Sequence, residues 1–134
     1  MPAESNRQLI NDYYAALAAG DADMTPFFTE DVEWHLPRSS PMHGTLKGRE
    51  AVLGLFGDGA VSDYYRQQSL QFEYHATLVA EDDVVMPFTL RAVTVNGQDY
   101  ENDYLMRFRI KDGRITEVWE YFDTATLFEL VKPG

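Results

Sequence analysis

Apolar residues fall in two different rhythms along this chain. Near the start, Leu9, Ile10, Tyr13, Tyr14 and Leu17 recur at helical spacing among alanines. Ser5 and Gln8 form a capping-box pattern and Gly20 supplies a stop, which predicts a helix from about Ser5 to Ala19. A short second helix is expected after Asp21, through Met24, Phe27 and Phe28. Val32, Trp34 and Leu36 then alternate with Glu33 and His35, a strand ending at Pro37. Residues 38–46 read as a loop. A third helix starts near Gly48, carries Ala51, Val52, Leu55 and Phe56, and ends or breaks at Gly57-Asp58-Gly59.

In the second half the rhythm becomes that of strands. Segments 70–80, 84–95, 99–110 and 114–123 are separated by Glu81-Asp82-Asp83, Asn96-Gly97 and Lys111-Asp112-Gly113, each a hairpin-type turn. Residues 124–131 predict a short terminal helix or extension. Helices gathered on one face of an antiparallel meander give an α+β fold. No repeat or linker divides the chain, so residues 1–134 are expected to form one domain.

Composition narrows the function classes. The formal charge is −11, from 22 acidic and 11 basic residues, which argues against nucleic acid and anionic membranes as partners. The absence of cysteine excludes disulfides, a thiol nucleophile and thiolate metal sites. The Met-Pro-Ala-Glu start lacks a signal-peptide pattern, and no apolar stretch approaches the roughly 20 residues that span a bilayer. A cytoplasmic location is the expectation. The 13% aromatic content suits an apolar ligand site as well as a core.

Several segments together resemble the nuclear transport factor 2-like superfamily, in its SnoaL-like branch. They are Tyr13-Tyr14 with Gly20-Asp21, the stretch Phe28-Thr29-Glu30-Asp31-Val32-Glu33-Trp34, the approach from Gly44 to Gly48-Arg49, and the closing run from Asp112 to Asp123. The resemblance implies a cone-shaped, curved antiparallel sheet wrapped around N-terminal helices, usually dimeric, with a pocket in the cone. Members include ketosteroid isomerase, limonene epoxide hydrolase and polyketide cyclases, and also non-enzymes.

Side chains alternate along a strand. Counting from Gly113 by resemblance to ketosteroid isomerase turns Thr116, Val118, Glu120 and Phe122 inward and Ile115, Glu117, Trp119 and Tyr121 outward. The same counting turns Asn102, Tyr104, Met106 and Phe108 inward, and Trp34 faces in on the first strand. Trp119 and Tyr121 are large for a solvent-facing sheet. Either a sheet-to-sheet homodimer covers them, the preferred expectation, or part of the same chain does.

Glu120 is the main candidate catalyst, a carboxyl among apolar neighbours whose pKa should rise toward neutrality. By resemblance it stands where polyketide cyclases and limonene epoxide hydrolase carry an acid/base aspartate. Tyr13 matches the oxyanion-hole tyrosine of ketosteroid isomerase, with Tyr14 as its alternate. The isomerase base corresponds to Trp34 and its second oxyanion acid to Tyr104, so steroid isomerisation by that route is not expected. The Arg-x-Asp pair of the epoxide hydrolase falls near Pro87 and Thr89. His35 points away by strict alternation, but a kink before Pro37 would bring it inward as a third catalytic candidate. His43 would lie in a lid loop and His75 on a strand of undetermined facing. No histidine pair has helical metal-ligand spacing, so no metal site is expected. The expected ligand is an apolar, ring-containing small molecule. It contacts Tyr14, Trp34, Asn102, Tyr104, Met106, Phe108, Val118 and Phe122, and is either turned over without a cofactor or simply bound.

Overall fold

The computed structural model describes residues 2–19, 23–39, 44–56, 65–66 and 69–126. Helix α1 (Pro2–Ala19) begins with a proline, which needs no backbone donor in the first turn. Ser5 therefore lies inside the helix and does not cap it, and Gln8 donates its amide to Asp12 Oδ1 at 2.8 Å. Asn6, Ile10, Tyr13 and Tyr14 form the buried face of α1. The expected stop at Gly20, the Gly57–Gly59 breaker, His43 and the chain beyond 126 lie outside the described residues.

The expected second helix is a single 3-10 turn, Thr25–Phe27, with Phe28 already the first residue of strand β1 (Phe28–Leu36). Two differences follow where short elements carry too few residues to show a period. Strand β2 (Gly44–Lys47) occupies part of the expected 38–46 loop and pairs antiparallel with β1, Trp34 opposite Leu46. The expected 70–80 strand is broken into β3 (Gln71–Tyr74) and β4 (Leu78–Ala80). Helix α2 (Arg49–Leu53) lies between β2 and β3 and is shorter than expected.

Three long strands complete the sheet: β5 (Asp83–Val93), β6 (Asp99–Lys111) and β7 (Arg114–Phe122). The order is β2-β1-β7-β6-β5-β3, with β4 also on β5, in a curved, unclosed sheet. All pairings are antiparallel except β1 with β7, so the sheet is mixed, not purely antiparallel. The β6–β7 turn has Asp112 at φ 53° and Gly113 at φ 77°, as a tight two-residue hairpin demands. At Asn96-Gly97 only Gly97 has positive φ, and Thr94 N–H reaches Gln98 O at 2.8 Å, so this hairpin uses a longer loop.

One shift in register matters for the site. Arg109 pairs with Glu117, but Ile110 pairs with Ile115, so Thr116 is an extra residue in a β-bulge. Ile115, expected outward, is thus fully buried beside Val118, and Thr116 leaves the inward set. Above the bulge the alternation holds: Val118 is 0% exposed and Tyr121 is 51% exposed.

On the outer face Asp83 accepts hydrogen bonds from Arg107 Nε at 2.8 Å and Arg109 Nε at 3.1 Å, joining β5 to β6. Burial opposes ionisation of Asp83, but the two guanidiniums overcome it and hold the carboxyl below its ordinary range. Inside, α1 closes the concave side. Arg7 Nη1 donates to Thr77 O at 2.7 Å, and the Tyr13 ring meets Phe28 at 6.0 Å and Phe108 at 5.5 Å. Among the described residues no helix is long and apolar enough to cross a membrane.

Candidate active site around Glu120

The parallel pairing of β1 with β7 sets Trp34 beside Val118, with both side chains turned inward and buried. Glu120, two residues further along β7, also faces inward and accepts a hydrogen bond from Trp34 Nε1 to Oε1 at 2.9 Å. Trp34 is its single hydrogen-bond partner among the described residues. The indole therefore holds one carboxyl oxygen and leaves the other available. Glu120 borders a cleft and keeps partial exposure, though much of its surroundings is protein. Burial pushes its pKa from the ordinary 4.5 up to about 7, against the smaller opposing effect of the indole hydrogen bond.

Four tyrosine hydroxyls feel the charge of this carboxyl. Burial drives the Tyr13 and Tyr104 hydroxyls far above the ordinary phenol range, and Tyr14 and Tyr65 rise for the same leading reason. In all four the nearby charge of Glu120 adds to the effect. These phenols stay protonated near neutral pH, so they can donate hydrogen bonds but cannot act as bases. Glu120 is the group among them that can exchange a proton near pH 7.

Asn102 anchors part of this set. Its Oδ1 accepts from Asp103 N–H and its Nδ2 donates to Asp123 O, both at 2.9 Å, which fixes the orientation of the amide. The same Nδ2 donates to the Tyr100 hydroxyl at 2.7 Å, and that hydroxyl lies 2.8 Å from the Tyr104 hydroxyl. Tyr65 joins these two phenols. The sequence pattern points to neither Tyr65 nor Tyr100. Tyr65 follows a stretch without periodicity, and Tyr100 lies one inward step beyond the set counted on β6.

A cleft of about 750 Å³ opens where β1 and β7 end and reaches Glu120. Its walls also include Leu36, Pro37, Ser39, Gly44 and Phe122. Tyr104 and Phe122 keep partial exposure among the expected ligand contacts. Tyr14, Trp34, Asn102, Met106, Phe108 and Val118 are buried, Phe108 and Val118 completely, and belong to the core behind the cleft and not to its walls. Tyr13 is also enclosed, with rings of Tyr14, Phe27, Phe28, Phe56 and Phe108 around it.

The structure does not bring His35 to Glu120. The strand keeps strict alternation to its end, so no kink turns the ring inward. On the outer face it contacts Thr45 Oγ1 at 2.9 Å and Glu117 Oε2 at 2.5 Å, and it stacks on Trp119. His75 is exposed and contacts Thr89 Oγ1 at 3.0 Å.

A sequence profile described as a SnoaL-like domain matches residues 10–118. The chain belongs to the SnoaL-like family. This SnoaL-like chain is 27% identical over 124 residues to the uncharacterized protein Rv0034 of Mycobacterium tuberculosis, covering 91% of this chain and 92% of that protein. It superposes on Bal32a, from a soil-derived mobile gene cassette, with a TM-score of 0.83 and 27% identity, covering 97% and 98% of the two chains. A putative SnoaL-like polyketide cyclase from Jannaschia sp. shares the fold, with a TM-score of 0.78 and 14% identity over 98% of this chain and 94% of that one.

Within this SnoaL-like site, Trp34 tunes Glu120 as well as holding it. Trp34→Phe removes the hydrogen bond that lowers the carboxyl pKa. The Glu120 midpoint should move further upward, which NMR titration of a carbon-13-labelled glutamate side chain would measure.

Proposed function

We propose that this SnoaL-like protein is a cofactor-independent acid/base enzyme of the cyclase, isomerase or hydratase type, acting on an apolar, ring-containing small molecule. One observation carries the reading: an inward carboxyl at the edge of a cleft, its pKa raised to about 7 by burial, held at one oxygen by Trp34 and near phenols that stay protonated.

Glu120 takes a proton from carbon next to a carbonyl, and the electron pair of that C–H bond moves onto the carbonyl oxygen. Tyr104, partly exposed and packed on Phe122 of the cleft wall, donates a hydrogen bond to the resulting enolate oxygen, whereas Tyr13 is enclosed by its ring neighbours. The enolate carbon then attacks a second carbonyl within the molecule, or is reprotonated at another position by the carboxylic acid form of Glu120. Either outcome restores the starting charge on the protein once the proton is returned. A pKa near 7 serves both halves of the cycle. A protein of the same fold, TerC, has been co-crystallized with polyporic acid.

The test is deuterium exchange at carbons next to the carbonyl in cyclic aromatic ketones and lactones, followed by NMR in heavy water. Exchange that depends on Glu120 supports the enzyme. Binding without exchange would replace it with the non-catalytic pocket reading.

Assembly as a homodimer through the outer sheet face belongs to the same proposal, with a changed centre. Trp119 is already half covered within the chain, by Arg107 at 4.3 Å, Arg109 at 5.0 Å and the His35 ring. Leu105 and Tyr121, cross-strand partners at 41% and 51% exposure, are the apolar surface left open. Leu105→Glu should convert the dimer to monomers in light-scattering chromatography, whereas an unchanged mass would remove this face as the interface.

A further inference from the structure

We propose a divalent transition-metal site on the outer sheet face, formed by Glu33, His35 and Glu117, none of which contacts the Glu120 carboxyl. One ligand atom from each of the three lies within 4.8 Å of the other two, and all three residues are partly buried. Backbone pairing fixes the arrangement. Glu33 stands directly opposite Glu117 across the parallel β1–β7 pair, and His35 is the next outward residue on β1.

Two features distinguish the cluster from an ordinary ion pair. The first is charge balance. Two carboxylates face each other, and Glu117 meets Arg109 Nη1 only at 3.8 Å. Glu33 makes no hydrogen bond or ion pair among the described residues, although it is partly buried. A bound cation would give Glu33 the partner it lacks among the described residues. The second is the imidazole. Its Nε2 points at Glu117 Oε2, and its Nδ1 is held by the Thr45 hydroxyl at 2.9 Å. That hydroxyl can donate or accept, so it can hold either neutral tautomer. A metal on the Nε2 lone pair requires the neutral tautomer with its single proton on Nδ1, which then donates to Thr45 Oγ1. An imidazole oriented from its far nitrogen by a hydrogen-bond partner is the usual support for a histidine metal ligand. Stacking on Trp119 fixes the ring plane.

Imidazole with two carboxylates suits zinc, cobalt or manganese and gives little preference to magnesium or calcium, which favour oxygen-only shells. Three protein ligands leave coordination positions open. His35 and Thr45 line the cleft at the ends of β1 and β7, so an exogenous ligand could approach from there.

The test is calorimetric titration of the metal-stripped full chain with zinc, together with the visible absorption of bound cobalt. One ion per chain is expected, with magnesium not competing. His35→Gln keeps hydrogen-bonding groups toward Thr45 and Glu117 but lacks the imidazole, and should weaken zinc by more than the roughly 10- to 100-fold that loss of a mere supporting partner costs. Glu33→Gln leaves the His35–Glu117 contact intact and should weaken zinc by about 10-fold or more. His75→Gln should leave affinity unchanged, and circular dichroism checks the fold of each variant. Absence of binding at about 100 μM zinc, or binding that survives both His35→Gln and Glu33→Gln, would overturn the site.

Discussion

Glu120→Gln should reduce proton exchange on a bound ketone by about 10²- to 10⁴-fold while leaving ligand affinity nearly unchanged. Glutamine has almost the shape of glutamate, and its Oε1 can still accept the Trp34 indole N–H that now binds Glu120 at 2.9 Å. The packing of the core behind the site, with Phe108 and Val118 fully buried, is therefore kept. What is lost is a group that can accept and return a proton. The surrounding phenols cannot substitute, because burial and the charge of Glu120 keep Tyr13 and Tyr104 protonated. Exchange by the parent protein should rise with pH and level off above about pH 7, the midpoint at which Glu120 becomes a base. Glu120→Gln should show no such midpoint. A residual rate with the parental pH profile would mean that another group takes the proton.

The same substitution should stabilise the protein, and by an amount that depends on pH. Glu120 has a folded pKa of about 7 against an ordinary 4.5. The folded state thus holds the proton more tightly than the unfolded chain. Its contribution to stability is fully present below the unfolded pKa and is lost as pH rises through the folded one. By pH 8 the parent carries a buried charge costing up to about 3 kcal/mol, which the glutamine variant does not carry. Urea unfolding at pH 5 and pH 8 should show the advantage of Glu120→Gln growing across that interval. A constant difference would mean that the carboxyl is already well solvated in the folded state. Stabilisation together with lost activity would mark Glu120 as a residue kept for chemistry at a cost to the fold.

Much of this site is legible in the chain because β-strands impose a strict period of two. Alternation from Gly113 places Val118, Glu120 and Phe122 on the inner side, and alternation on β6 does the same for Asn102, Tyr104, Met106 and Phe108. It fails at Thr116, because a bulge adds one residue without changing the hydrophobic pattern around it. It also carries no information about which strands are neighbours. Trp34 and Glu120 each read as inward, yet their hydrogen bond depends on β1 lying parallel beside β7, a pairing with no local sequence signal. The outer cluster leaves no local signal for the same reason. Glu33, His35 and Glu117 have no spacing typical of metal ligands, because two strands distant in sequence bring them together. The 3-10 turn and the short strands β2 to β4 were lost or merged because three or four residues do not display a period.

The pairing of β1 with β7 also bears on how the protein is made. Trp34 and Glu120 are 86 positions apart, and the strand that joins them is the last of the sheet to leave the ribosome. Until then β1 has β2 on one edge and nothing on the other, with Trp34 waiting for its acceptor. Contacts that span so much of a chain form slowly, because a long loop must close before they stabilise anything. The acid and the indole that orients it are thus brought together in a late step, and a nascent chain halted before residue 114 would hold most of its strands but none of its chemistry.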